Sequence, residues 1–415
     1  MSQDTGTVRR RERDLRLDFF RGLAMIVILI AHIPDNPWWL WLPGRFGFSD
    51  STEIFVFCSG MASALAYGVI FHRAGWLIGT GRVLYRIWQI YWVHLGTFFA
   101  VLLSVILMNM TGLFGRDQIG QWNLYPLLVN TAPNLIGLLS LTYVPNFFDI
   151  LPMYMVLLAL LPLMMATAKI SPWLSLSLSL ALWGLGTGGA IGLPAEWWFA
   201  SGSTRSWFFN PFAWQLIFFI GFGLVAGWLP VPPRHPVLIG LASAILLASL
   251  PFSWSVIFSK VSFFGETRGQ WAAWFDKSGF GAIRAVHFLA LAYLAYTACG
   301  KEGENLKALS RALPRITAFV TDIGKQALAA YAASTVLSPF LGAVLNEIGR
   351  NWFNTACVNL AGLLLVWLAS RLVGWCKGSS WKNHLNGPAQ PPIALAVSAE
   401  KSAAVPLAPA RRRSA

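Results

Sequence analysis

The first thing this chain lacks is charge. Only 12% of its 415 residues are Asp, Glu, Lys or Arg, while 56% are hydrophobic; an ordinary soluble domain carries about 25% charged residues. A chain so composed cannot coat itself in charge, and its solvent is largely lipid. Acidic residues are the scarcest, 17 against 31 basic, for a net charge of +14. In a soluble protein that excess points to nucleic acid. In a membrane protein the informative question is which loops hold the cations. Cysteine is sparse as well. Cys58, Cys299, Cys357 and Cys376 fall in apolar runs or at their ends. No CxxC or Cys/His spacing appears, so neither a disulfide framework nor a zinc site is indicated. The first apolar run lacks a small-x-small cleavage site and is followed by polar HIPDN, so it reads as a retained segment. No internal repeat of the transporter kind is visible.

What the chain has in abundance is long apolar stretches. About 20 apolar residues are needed to cross roughly 30 Å of hydrocarbon. Ten stretches qualify: 17–34, 53–71, 84–110, 147–168, 173–193, 211–229, 236–258, 280–299, 323–345 and 354–376. The expected fold class is all-α, a polytopic membrane helix bundle of about ten transmembrane helices. Stretch 124–144 is apolar too, but Pro126, Asn130, Pro133 and Asn134 argue for a re-entrant or surface piece. An even number of spans puts both termini on one side. With the termini inside, the inner segments hold 21 Lys and Arg; the outer ones hold Arg45, Arg116, Arg205, Lys260, Arg268, Lys277 and Arg350. By the positive-inside rule both termini are cytoplasmic. Residues 1–16 then form a basic cytoplasmic segment, 17–376 the membrane domain and 377–415 a disordered cytoplasmic tail rich in Pro and Ala.

Ionisable residues inside such stretches are costly in lipid and mark functional sites by default. RLDFFRGLAMIVILIAHIPDN carries Asp18, Arg21 and His32. Eleven helical residues separate Arg21 from His32, which puts them on one face about 16 Å apart. Asp18 is close enough to Arg21 to pair. Asp50 and Glu53 begin the second span, at the level His32 reaches. Asp149 begins the fourth, and Arg284 and His287 share one face near the start of the eighth. Each has a bland alternative: helix capping for Asp50 and Glu53, snorkelling for the arginines. Together they gather imidazole and carboxylate at one depth, the pairing that general-base chemistry uses. At the opposite depth lie Arg21, Arg73, Arg82, Arg86 and Lys325. HRAGWLIGTGRVLYR, with glycines among its cations, reads as a loop for phosphates or for anionic lipid heads. Eleven of the 21 tryptophans fall on the outer side, among them Trp38, Trp39, Trp41, Trp197 and Trp198. That excess suits stacking on sugar rings, or an interfacial belt on longer loops.

The run RDLRLDFFRGLAMIVILIAHIPDN, followed by FGFSDSTEIFVFCSGMASALAYG, resembles the OpgC family, bacterial inner-membrane proteins that add succinyl groups to osmoregulated periplasmic glucans. The wider membrane acyltransferase group is marked by an Arg, ten residues, then a His in the first span; Arg21 and His32 stand there. IFVFCSGM, with Ser59 and Gly60, is similar to that group's second-span piece. The resemblance implies a cytoplasmic acyl-CoA co-substrate, succinyl-CoA first, with acetyl and other small acyl groups left open. It also implies a periplasmic glucan acceptor and His32 as general base or acyl carrier. Glu53 or Asp50 is then the expected partner of His32, with Asp149 second. Arg284, His287 or an amide is expected at the oxyanion. Arg21, Arg73, Arg82, Arg86 and Lys325 are expected to hold the coenzyme, and Trp38, Trp39 and Trp41 the sugar. A glycan or anion transporter working without chemistry is the alternative.

Overall fold

The computed structural model describes residues 14–196 and 205–378. Among them the chain is all-helical, with no β-strand. The helices that build it are α1 (Leu15–His32), α2 (Ser51–Ser63, continued by a wider turn Ala64–Gly68), α3 (Val69–Thr111), α4 (Ile150–Ile170), α5 (Pro172–Thr187), α6 (Pro211–Ala226), α7 (Pro236–Ser253), α8 (Ala282–Ala298), α9 (Glu304–Ala312), α10 (Pro314–Lys325), α11 (Ala327–Ile348) and α12 (Trp352–Lys377). Residues up to Val373 form one packed unit; a second unit begins at Gly374, and only the end of α12 and Gly378 are described there. The expected basic segment before Asp14, the tail beyond Gly378, and Trp197 and Trp198 lie outside the described residues.

Each of the ten apolar stretches has a helix at its centre. Five segments are long and apolar enough to cross a membrane: Ser51–Thr111, Ile150–Ile170, Pro236–Ser253, Ala327–Ile348 and Trp352–Lys377. The others fall short for visible reasons. Helices α5 and α6 have 16 residues each and α8 has 17; α1 carries Arg16, Asp18 and Arg21. The outward faces are oily. Leu77, Trp88, Trp92 and Leu103 on α3, Val237 and Leu247 on α7, and Phe353, Leu360 and Leu372 on α12 are all exposed. So much contiguous apolar surface identifies a membrane protein.

Two expectations are corrected, and one region is filled in. Stretch 72–86 is not an open loop: it is helical, and only Gly75, at φ 84°, breaks it. That backbone conformation suits glycine because it has no Cβ to clash. Lys325 does not share one helix with the rest of stretch 323–345; it ends α10, and the next helix begins at Ala327 after a break at Gln326. The region 124–144, expected as a re-entrant or surface piece, has no long helix. It holds the short helices Tyr125–Val129 and Thr131–Leu139, whose buried Leu127 and Leu138 join Trp122 and Tyr143 in a cluster against α3.

Helix α1 runs through the middle of the bundle, against α2, α10 and α11. Glycine sets how closely it is held. A Cβ on Gly22 would lie 1.9 Å from the carbonyl oxygen of Val320, and one on Gly324 would lie 1.8 Å from that of Asp18. No real Cβ tolerates such contacts, so α1 and α10 cross backbone to backbone. The same device joins α2 and α6: a Cβ on Gly60 would meet Phe218 O at 1.9 Å, and one on Gly221 would meet Phe57 O at 2.4 Å. The glycine of the IFVFCSGM piece is thus a packing residue. Polar pairs fix the remaining seams. Ser179 Oγ donates to Gln215 Oε1 between α5 and α6. Asn36 and Asn359, both buried, exchange amide hydrogen bonds that pin the end of the α1 turn to α12.

Candidate active site

Helix α1 starts at Asp14, whose side chain accepts from the Arg16 amide, and ends at His32 before Ile33 and Pro34. The His32 ring is part-buried between the Phe147 ring, 5.3 Å away, and Tyr331, 6.2 Å away. It faces the bundle rather than lipid. Nδ1 is buried without a partner, and no hydrogen bond from either ring nitrogen is made within the described residues. The charges that act on the ring are Lys277 and Asp50.

Asp50 stands where the sequence suggested, as the N-cap of α2. Its Oδ1 accepts from Thr52 N at 2.8 Å, and Glu53 Oε2 accepts from Asp50 N at 2.8 Å, a reciprocal capping box. Such a box satisfies donors that the first helical turn leaves orphaned. The remaining oxygens are engaged elsewhere. Asp50 Oδ2 pairs with Lys277 Nζ at 2.5 Å, and Glu53 Oε1 takes Arg284 Nη1 at 2.6 Å. Glu53 is wholly buried and the Arg284 side chain is 12% exposed, so this pair is held away from water. Neither carboxylate bonds to His32. The expected imidazole–carboxylate hydrogen bond is therefore absent; Asp50 acts on the ring through space, alongside Lys277.

His287 is brought to the same end of the bundle but faces another way. Its Nδ1 meets Ser49 Oγ at 2.7 Å, and its Nε2 is buried without a partner. Gly47 closes over the ring, for a Cβ there would lie 2.5 Å from Nε2. Asp149, at the start of α4, does not cap its own helix. Its Oδ1 accepts from Phe208 N at 3.0 Å, tying two loops together. The nearer member of that loop is Phe147: its ring touches His32 and its carbonyl accepts from the Tyr331 hydroxyl at 3.0 Å.

The second basic set is spread out. Arg21 lies on α1 within electrostatic reach of Cys58 on α2, with Nε buried and unpartnered. Helices α1 and α2 pack against each other. Arg73, with His72, lines a cavity of about 320 Å³ between the Ala64–Gly68 turn, Met165 and Phe222. Arg82 stacks toward Tyr85, Arg86 donates to Gln89, and Lys325 is paired with Asp322. Trp39 and Trp41 are exposed on the turn Pro37–Trp41, and Trp38 is part-buried. Lys277 was the residue missed. It sits in a loop that reads as an ordinary outer charge, and only its pairing with Asp50, 227 residues away, shows it within electrostatic reach of His32.

An imidazole, two carboxylates and two cations are thus gathered at one end of a helical membrane bundle. The chain belongs to the OpgC family: the family model described as OpgC protein matches residues 13–378, nearly the whole chain. No curated protein and no solved structure matches it. Membership makes it a membrane acyltransferase of the kind that acts on glucans.

Proposed function

We propose that this protein is an O-acyltransferase of the bacterial inner membrane that moves a succinyl group from cytoplasmic acyl-CoA to hydroxyls of a periplasmic glucan. Ten spans with both termini cytoplasmic agree with the distribution of Lys and Arg. The 61-residue stretch Ser51–Thr111 would measure about 90 Å if straight, roughly three bilayer cores. Its break at Gly75 suits two spans. The His32 end then faces the periplasm and Arg21 the cytoplasm.

The observation that carries this reading is the His32 ring, turned into the bundle with neither nitrogen used by the chain and with the Lys277–Asp50 pair within electrostatic reach. In the proposed step a ring nitrogen takes the proton of a glucan hydroxyl as that oxygen attacks the thioester carbonyl. The new C–O bond forms, the C–S bond breaks, and the imidazolium returns its proton to the departing thiolate. Lys277 spends one donor on Asp50 and keeps two for charge developing on the carbonyl oxygen. Arg284, held by Glu53, adds its field. Arg21, with a donor to spare, receives the coenzyme's phosphates from the other side, with Arg73 further along. Trp39 and Trp41 offer faces for sugar rings.

The test is ester analysis of periplasmic glucans from cells with the gene, without it, and with His32→Ala, with membrane levels of the protein checked by immunoblot. Loss of the succinyl mass increment in the last two is expected. Full esterification with His32→Ala removes the base; glucans of unchanged mass in the deletion strain favour transport.

A further inference from the structure

The His32 end carries more positive charge than the proposed chemistry uses. Beside the Lys277–Asp50 and Arg284–Glu53 pairs stand Arg45 and Arg268, for which no acidic partner is found among the described residues. Arg45 sits on the turn after α1, its guanidinium 3.0 Å above the exposed Trp39 ring and its Nε buried without an acceptor. The preceding residue, Gly44, leans on Asp50: a Cβ there would lie 3.1 Å from Asp50 Cβ. Arg268, on the short helix Ser262–Gln270, donates to Phe252 O at 2.5 Å and lies 5.1 Å from the Phe258 ring. The Phe252 ring stacks on Phe275 at 6.5 Å, and the Phe275 carbonyl receives Arg284 Nε. Phe46, next to Arg45, packs on Trp254 at 5.6 Å, two residues from Phe252. Three guanidiniums thus share one aromatic rim, where Glu53 is committed to Arg284 and Asp50 to Lys277.

The cations feel one another. Burial first, and then the charge of Arg268, holds the Arg45 guanidinium below its ordinary value; burial and Arg284 do the same to Arg268. Gathering like charges is unfavourable unless an anion comes among them. Arginine's planar fork with an aromatic face beside it suits a carboxylate on a sugar: the fork takes the anion bidentately and the indole takes the ring.

We propose that Arg45 and Arg268, with the Trp39 face, form a rim site for a carboxylate-bearing glucan, the acylated product itself. Each succinyl transfer converts a neutral hydroxyl into a carboxylate. A product held by its new charge stays beside His32 for a further transfer, so the rim favours several substitutions on one glucan. This rests on the acyl-transfer reading with a dicarboxylic acyl group.

The experiment uses the full-length protein in nanodiscs of zwitterionic lipid. Binding of a chemically succinylated β-glucan oligosaccharide is compared with binding of its neutral parent. Two charge-assisted contacts at a partly screened rim are worth about 1–1.5 kcal/mol, roughly tenfold in affinity. The succinylated form is expected to bind about tenfold tighter, with most of that margin gone at ~0.5 M salt. Arg45→Gln and Arg268→Gln together erase the margin while the thermal midpoint is kept. Arg45→Lys, which keeps the charge, restores part of it when Arg268 is left in place. In glucans from cells with the double variant, the ratio of multiply to singly substituted chains falls. Equal affinity for neutral and succinylated forms overturns the proposal. So does a margin that disappears when anionic lipid is added at constant ionic strength, because the rim is then a headgroup site. Binding needs no turnover. A protein that forms no ester defeats the acyl-transfer reading and with it the product role of the rim, whatever it binds, whereas one that forms esters without that preference defeats the rim alone.

Discussion

Glu53→Gln isolates the one buried ion pair that joins the start of α2 to α8. Glutamine is nearly isosteric and keeps a carbonyl oxygen to accept from Asp50 N, so the capping half of the interaction persists, worth about 1 kcal/mol. What disappears is the charge opposite Arg284, whose side chain is 12% exposed. A buried cation stripped of its counter-ion costs about 3–5 kcal/mol. Glu53→Ala also orphans the Asp50 amide, which raises the loss to about 4–6 kcal/mol. Arg284→Met beside Glu53→Gln removes the stranded charge, and the double variant should recover to within about 2 kcal/mol of the parent. The assay is equilibrium unfolding in mixed detergent micelles for the parent, both single variants and the double. A coupling energy above about 2 kcal/mol is expected from the cycle. Strictly additive losses, or a Glu53→Gln protein within about 0.5 kcal/mol of the parent, would refute the view that this pair is sustained by mutual burial.

The helix crossings make a second set of predictions. Gly60→Ala or Gly221→Ala forces α2 and α6 apart and should cost about 1–3 kcal/mol, seen as a lower thermal midpoint. Gly240→Ala, on α7 with open space where its Cβ would go, should be neutral or stabilise by about 0.5–1 kcal/mol; equal losses at all three would mean the close approaches are not real. Asn359→Leu leaves the buried Asn36 amide without its partner and should destabilise by about 1–3 kcal/mol, measured by the same melts. Lys277→Ala should lower kcat for glucan acylation roughly 100-fold, with Lys277→Arg recovering part. Unchanged turnover would show that this cation takes no part.

Much of the site was legible because it is written along single helices. Arg21 and His32 share a face by simple periodicity. Asp50 and Glu53 are spaced as a capping box, and α2 uses them so. The ambiguity between cap and catalyst dissolves in part: Glu53 has both oxygens committed, which the sequence reading of it as the partner of His32 did not foresee. Stretch 72–86 misled because glycines among cations resemble a phosphate loop. Gly79 and Gly81 are helical all the same, and Gly79 lies where a Cβ would meet the Phe71 ring at 2.6 Å. Helix α10 went unnoticed because its mixed polarity reads as an inner loop, although it packs directly on α1.

Composition and local pattern by themselves settled that the chain lives in lipid, that it is helical, and where the polar residues of α1 and the cap of α2 stand. A helix's period and its caps depend only on neighbours in sequence. Tertiary structure alone decided which of those polar groups meet. Lys277 reaches Asp50, Arg284 reaches Glu53 across 231 residues, and His287 turns to Ser49 instead of to His32. Those pairings join residues more than 220 positions apart in sequence, so no helix's own period or cap reveals them; they exist only once α2, α8 and the loop before α8 meet at one end of the bundle.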